Sequence, residues 1–170
     1  MQSYVVLLRA VNVTGTGKIA MSDLKALCEA AGCDRVRTYI ASGNVVLRSA
    51  LEEQALQAEI ARRVEPVVGK RVGVILRSAH HLERALAVNP FREMNPGFTV
   101  ICFLDAPPPA DALDQLRNRI DEQVALGERE VFIHYPNGQG QSRLIIPAAK
   151  EGTARNLNTV RKLLEMVSAL

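Results

Sequence analysis

Strands and helices that alternate as β-α-β-β-α-β over residues 1–77, and again as β-α-β-β-α over residues 98–170, predict an α+β fold of two ferredoxin-like (split βαβ) halves. Three observations carry that expectation. Apolar residues alternate in Val36-Thr38-Ile40 and Val72-Val74-Leu76, the period of half-buried strands. They recur at helical spacing in Leu24-Leu27-Cys28-Ala31 and Leu56-Ile60-Val64-Val67. Turn chemistry separates the runs. Each half is expected to form an antiparallel sheet with its helices packed on one face. A connector helix and loop over residues 78–97 would join the halves into one compact unit.

In chain order, Tyr4 to Val11 reads as a β-branched and aliphatic strand, followed by a glycine-containing loop at 12–18. Ser22 is the expected N-cap of the first helix and Gly32 its stop. Val36–Ile40 and Val45–Leu47 flank Ala41-Ser42-Gly43-Asn44 as a hairpin. Ser49 and Glu52 fit a capping box ahead of the second helix, which Gly69 ends. Val72–Leu76 completes the first half. A short helix over 79–87 stops at Asn89-Pro90, because the residue before proline disfavours helical backbone. Phe98–Leu104 is the next strand. Pro107-Pro108-Pro109 leads into an expected helix bearing Leu113, Leu116, Ile120 and Val124. Val131–Tyr135 and Arg143–Ile146 are expected strands around a turn-rich loop. Thr153 is the expected cap of a last helix with Leu157, Val160, Leu164 and Val167. The second half therefore lacks a final strand, and that open edge suggests cover by the other half or by a second copy, a homodimer.

Composition narrows the function classes. The chain of 170 residues is 48% hydrophobic and 23% charged, a normal globular balance. No apolar run approaches the ~20 residues that span a bilayer, and Met1–Arg9, lacking a basic n-region, reads as a strand rather than a signal. Three cysteines, Cys28, Cys33 and Cys102, with no Cys-x-x-Cys pair, point to a reducing, cytoplasmic setting. The net charge of +3 divides as +4 over residues 1–77, −3 over 78–125 and +2 over 126–170. That is no dense basic footprint for nucleic acid, and 4% aromatics cannot build a base-stacking platform.

Familiar motifs fail on their chemistry. Gly15-Thr16-Gly17-Lys18-Ile19-Ala20 fits a dinucleotide fingerprint, but the second strand ends in Ile40-Ala41-Ser42 with no carboxylate for a ribose. Ile19 after Lys18 excludes a P-loop. Adjacent His80 and His81 point apart on a helix and His134 stands alone, so no metal-ligand spacing exists and no cofactor is expected. There is no nucleophile elbow, and Cys33 has no histidine near it in sequence. Topology is more informative. The loop after the first strand and the turn between the second and third strands must share one end of the sheet. That end collects Arg9, Asn12, Lys18, Ser42, Asn44, Lys70 and Arg71 as a candidate anion site, with backbone N–H groups of the Gly15–Gly17 and Gly43 turns as further donors. Arg155, Asn156 and Asn158 crowd the first turn of the last helix as a second candidate cluster.

Leu8-Arg9-Ala10-Val11-Asn12-Val13, Met21-Ser22-Asp23-Leu24, Val36-Arg37-Thr38-Tyr39-Ile40 and Ser42-Gly43-Asn44-Val45-Val46 form one block of a family pattern. Asn89-Pro90-Phe91, Tyr135-Pro136-Asn137-Gly138, Ser142-Arg143-Leu144 and the segment Thr153–Val160 complete it. Together they resemble the bacterial family called domain of unknown function 1697 along nearly the whole chain. The resemblance implies two ferredoxin-like halves and no established activity. Ala10 stands where the pattern has Gly, Thr14 where Gly is common, and Leu157 where Trp or Met is usual.

These readings favour a binding or regulatory module for a small anionic, phosphate- or carboxylate-bearing ligand or an acidic partner. The runner-up is an enzyme acting on a phosphorylated metabolite, although no general base stands out: Asp23 and Glu52 read as helix-start residues. Weak nucleic-acid binding is the third reading.

Overall fold

The computed structural model describes residues 1–13 and 15–170, so Thr14 lies outside the described residues. The chain divides into two compact units, one of Met1–Leu82 with Leu163–Leu170 and one of Glu83–Lys162.

In the first unit, β1 (Gln2–Leu8), β2 (Asp34–Tyr39), β3 (Asn44–Ser49) and β4 (Val74–Ser78) form a four-stranded sheet in the order β2-β3-β1-β4. Every pairing is antiparallel, with Val6 opposite Val45 on one side and Leu76 on the other. Helices α1 (Met21–Ala30) and α2 (Glu53–Val68) supply Leu24, Cys28, Leu56, Ile60 and Val64 to a core with Tyr4, Val6, Leu8, Val45, Leu47, Val74 and Leu76. The alternate strand residues land on one face because side chains alternate along a strand, and each buried aliphatic side chain contributes about 1.5–3 kcal/mol. Gly69 ends α2 with left-handed backbone (φ 82°), and its N–H donates to the Glu65 carbonyl at 2.8 Å.

The expected caps are displaced. Helix α1 starts at Met21 after Ala20, without a side-chain cap, so Ser22 lies inside its first turn. Ser49 closes β3 instead of opening a helix; its Oγ accepts the Leu51 N–H at 3.1 Å, and α2 begins later, at Glu53. Helix α3 (Ala79–Val88) forms where the connector was expected. There Ser78 Oγ accepts the His81 N–H at 3.2 Å, a cap on the third helical residue.

The second unit departs further from expectation. Its strands β5 (Thr99–Phe103), β6 (Gln123–Leu126), β7 (Glu130–His134) and β8 (Thr153–Asn156) form an antiparallel sheet in the order β6-β7-β5-β8. No helix spans Leu113 to Val124: a single 3-10 turn covers Ala112–Gln115, and Val124 belongs to β6. The apolar spacing there has no core to face, since Ile120 is 86% exposed. Asn118 takes left-handed backbone (φ 58°), and Glu122 accepts the Ile120 N–H at 2.7 Å, a local bond that competes with a helical ladder.

Arg143–Ile146 is not a strand either; Ile145 makes one isolated bridge to Arg117. Thr153, expected to cap the last helix, opens β8 instead, and α4 (Leu157–Ser168) follows it directly. The strand thought missing is thus present, paired antiparallel with β5. Val100, Cys102, Leu104, Val131, Ile133 and Tyr135 form this unit's core.

Candidate functional site

The end of β1 is tied on both sides. Leu8 N–H donates to the Gly43 carbonyl at 2.8 Å, and Arg9 N–H donates to the Gly73 carbonyl at 2.9 Å. The chain leaving β1 is therefore held between the β2–β3 turn and the approach to β4. Asn12 fixes the next loop. Its Nδ2 donates to the carbonyls of Ile19 and Ala41, both at 2.8 Å, and its Oδ1 accepts the Ile19 N–H at 2.9 Å. One side chain thereby closes the 12–19 loop and staples it to the 40–44 turn. Gly17 brings the same loop against the end of α2. A Cβ at Gly17 would sit 2.2 Å from Val68 Cγ1 and 2.9 Å from its carbonyl, so only glycine fits this approach.

Residues 9–19, 40–44 and 68–73 consequently meet at one end of the first sheet, as topology requires. They carry Arg9, Lys18, Lys70 and Arg71, and no Asp or Glu. Lys18, Lys70 and Arg71 are exposed, while Arg9 and Ser42 are half-buried. Arg9 lies along Gly73, whose added Cβ would stand 3.1 Å from Arg9 Cβ. Backbone strain also concentrates here. Ala10, Asn12 and Ile40 have φ of 52°, 58° and 49°, in the region L-residues avoid, alongside Gly15, Gly43 and Gly69. Two aliphatic side chains, Val13 at 57% and Ile40 at 50%, face solvent beside the Asn12–Ala41 staple.

Asn44 does a different job from the one expected of an exposed rim residue. It is fully buried, and its Nδ2 donates to the Tyr39 carbonyl at 2.9 Å and to Ser42 Oγ at 2.8 Å. Asn12 and Asn44 thus shape the rim, whereas the cations display charge on it.

The second predicted cluster belongs to the second unit. Arg155 Nη1 donates to Thr153 Oγ1 at 2.8 Å and to the Ala154 carbonyl at 2.9 Å, and burial pushes its guanidinium down to about 10. Asn156 Oδ1 accepts the Thr159 N–H at 2.9 Å, which makes Asn156 the N-cap of α4. Asn158 is exposed on the first turn. The three cysteines are buried and in no disulfide; burial, with smaller contributions from Cys33 and Glu29, pushes the Cys28 thiol up to about 12, far from nucleophilic. Among the described residues, no cluster of His, Cys, Asp and Glu could hold a metal ion, and no helix is long and apolar enough to cross a membrane.

Sequence reasoning missed a polar knot in the second unit. Glu122 Oε1 accepts the Ser142 Oγ–H at 2.6 Å, and Oε2 accepts the Ile120 N–H. These bonds, Ser142 first, hold its carboxyl down at about 2. The partners lie 20 positions apart, so no local pattern joined them. So acidic a carboxyl is also a poor base for activating Ser142.

A family model described as "Protein of unknown function (DUF1697)" matches residues 1–132. The structure of the conserved bacterial protein SP0830 from Streptococcus pneumoniae superposes with a TM-score of 0.77 at 21% sequence identity, covering 98% of each chain. At that identity the likeness concerns the fold. No curated protein matches the chain.

Proposed function

The chain belongs to the DUF1697 family of proteins of unknown function, and we propose that it is a binding module that takes an anionic ligand at the rim of its first sheet. The observation that carries this reading is the meeting of three loops that bear four cations and no carboxylate. The exposed positive groups Lys18, Lys70 and Arg71 lie on loops that meet, and a phosphate or carboxylate between them gains from their combined charge. Lys18, Lys70 and Arg71 are the exposed charges and Arg9 is the less mobile one. Ser42 stands beside them, its oxygen accepting from Asn44. Asn12 and Asn44 are positioning residues. Backbone held in left-handed conformations at Ala10 and Ile40 fits a shape kept for recognition rather than for stability.

Arg155 and Asn156 are left out of the ligand set, because both bond to their own strand and helix start. Two ferredoxin-like halves remain part of the same reading: the order β1-α1-β2-β3-α2-β4 with the sheet order β2-β3-β1-β4 supports it in the first half. The exposed Val13 and Ile40 favour a variant in which the anion is an acidic stretch of a partner protein with apolar neighbours.

Titration with inorganic phosphate and then with phosphorylated metabolites, followed by amide chemical shifts, tests the proposal. Shifts are expected at Gly15, Lys18, Ser42 and Lys70, saturating with dose. Lys18→Ala combined with Lys70→Ala should weaken binding by about tenfold or more, as loss of two charge-assisted bonds implies. Amide shifts that move no more in phosphate than in chloride of equal ionic strength would remove the site.

A further inference from the structure

Strand β2 lies at the edge of the first sheet, paired with β3 on one side and with no strand on the other. Alternate N–H and C=O groups of an edge strand point away from the sheet, where an added chain can pair with them. Arg37, Thr38 and Tyr39 keep a regular ladder with β3, opposite Val46, Val45 and Asn44. Towards the start of the strand the register shifts between Asp34 and Arg37, and Arg35 takes left-handed backbone (φ 51°). A bulge of this kind interrupts regular pairing, so the usable edge is short and confined to residues 36–39.

The two faces beside this edge differ in chemistry. Val45 and Leu47 enter the core on the helix side, so Val46 and Arg48 point to the other face. Arg37 lies opposite Val46 and shares that face. Arg37 is exposed and Arg48 half-buried, and among the described residues neither has an ion-pair partner. Asp34, opposite Arg48, is the one acid of β2, and its Oδ1 accepts the Arg35 N–H at 2.8 Å. On the helix side α1 packs against β2, with Leu27 and Ala31 only partly buried. One face of the edge is therefore cationic and the other apolar.

Charge selects among the occupants of such an edge. A second copy of the chain, related by a two-fold axis, would set Arg35 and Arg37 of both copies along one short seam. Like charges opposite one another across a strand pair are destabilising. A strand that brings carboxylates to the same place gains where the second copy loses.

We propose that the β2 edge takes an extended acidic segment of another protein as an added strand. Main-chain hydrogen bonds to residues 36–39 supply the pairing, and a carboxylate opposite Arg37 supplies the preference. Alternate residues of the segment face the α1 side and are apolar. With so few ladder positions the complex is weak and transient. The proposal does not rest on the rim: there an anion is held by side-chain charge alone, whereas here the charge must arrive on an extended backbone.

The probe is an end-blocked hexapeptide of alternating glutamate and valine, titrated into the full chain while amide shifts are recorded. Saturable shifts are expected at Arg37, Thr38 and Tyr39, with slowed hydrogen exchange inside residues 36–39. The same peptide with every backbone nitrogen methylated keeps its charges but cannot donate, and should bind at least tenfold more weakly. A hexapeptide of alternating lysine and valine should also bind at least tenfold more weakly. Arg37→Glu changes an exposed side chain and should reverse that order in favour of the lysine peptide, with far-ultraviolet circular dichroism as the control for folding. Four results would each overturn the proposal: no saturable shift, equal binding of the methylated peptide, an unchanged order in a folded Arg37→Glu, or stronger displacement by phosphate than by chloride at equal ionic strength. The last would assign the peptide to the rim instead.

Discussion

Ala10 shows how a single residue connects sequence to backbone. The family resemblance leads to an expectation of glycine there, and this chain places an alanine at φ 52°, directly after Arg9. A Cβ in left-handed backbone costs about 1–2 kcal/mol, partly offset by the greater freedom glycine has in the unfolded chain. Ala10→Gly should therefore stabilise the protein by about 0.5–1 kcal/mol, read as a higher urea midpoint at unchanged slope. An unchanged or lower midpoint would show that the Ala10 side chain makes contacts that outweigh the strain. The rim's charges were legible in the same way, since loop residues announce themselves by type. Asn44 was not. Its letter is that of a turn residue, but its position as the first residue of β3 turns the amide inward, where it satisfies the Tyr39 carbonyl.

Elements were legible where periodicity and core agreed. In α1 and α2 the apolar stripe meets the sheet, and their residues were identifiable before their ends were, because neither helix starts at a side-chain cap. Residues 112–124 broke the rule: the spacing Leu113-Leu116-Ile120-Val124 suits a helix, but a stripe stabilises one only if something covers it. Nothing in the local letters reveals that the covering face is absent. The same limit hid β8, whose four residues Thr153–Asn156 are too few to show alternation. Reassigning them moves the cap of α4 from Thr153 to Asn156. Asn156→Ala should then lower stability by about 1 kcal/mol, while Asn156→Asp should stay near wild type, since a carboxylate accepts the same Thr159 N–H and suits the helix dipole. Equal losses in the two variants, measured by urea denaturation, would place the cap elsewhere.

At the scale of the whole chain, charge is segregated: residues 1–77 carry +4 and residues 78–125 carry −3. That division was readable in the sequence, and the loops bearing Arg9, Lys18, Lys70 and Arg71 fall in the positively charged part. What could not be read was that Glu122 and Ser142 meet, because they lie 20 positions apart with β6 and β7 between them. Linkage turns the rim into a measurable property of its unit. A ligand that binds only the folded state at about 100 times its Kd stabilises that state by about 2.7 kcal/mol. Hydrogen exchange reports this directly for amides that open only on unfolding. The central strands β1 and β3 hold such amides, at Val6 and Val46, deep in the ladder and fully buried. Saturating phosphate should slow their exchange by about a hundredfold, and chloride at matched ionic strength should not. The slowing should vanish in the Lys18→Ala, Lys70→Ala double variant, because binding and protection draw on the same charges. If protection appears equally in chloride, general screening of four like charges explains it, and the rim has no ligand preference for evolution to have shaped.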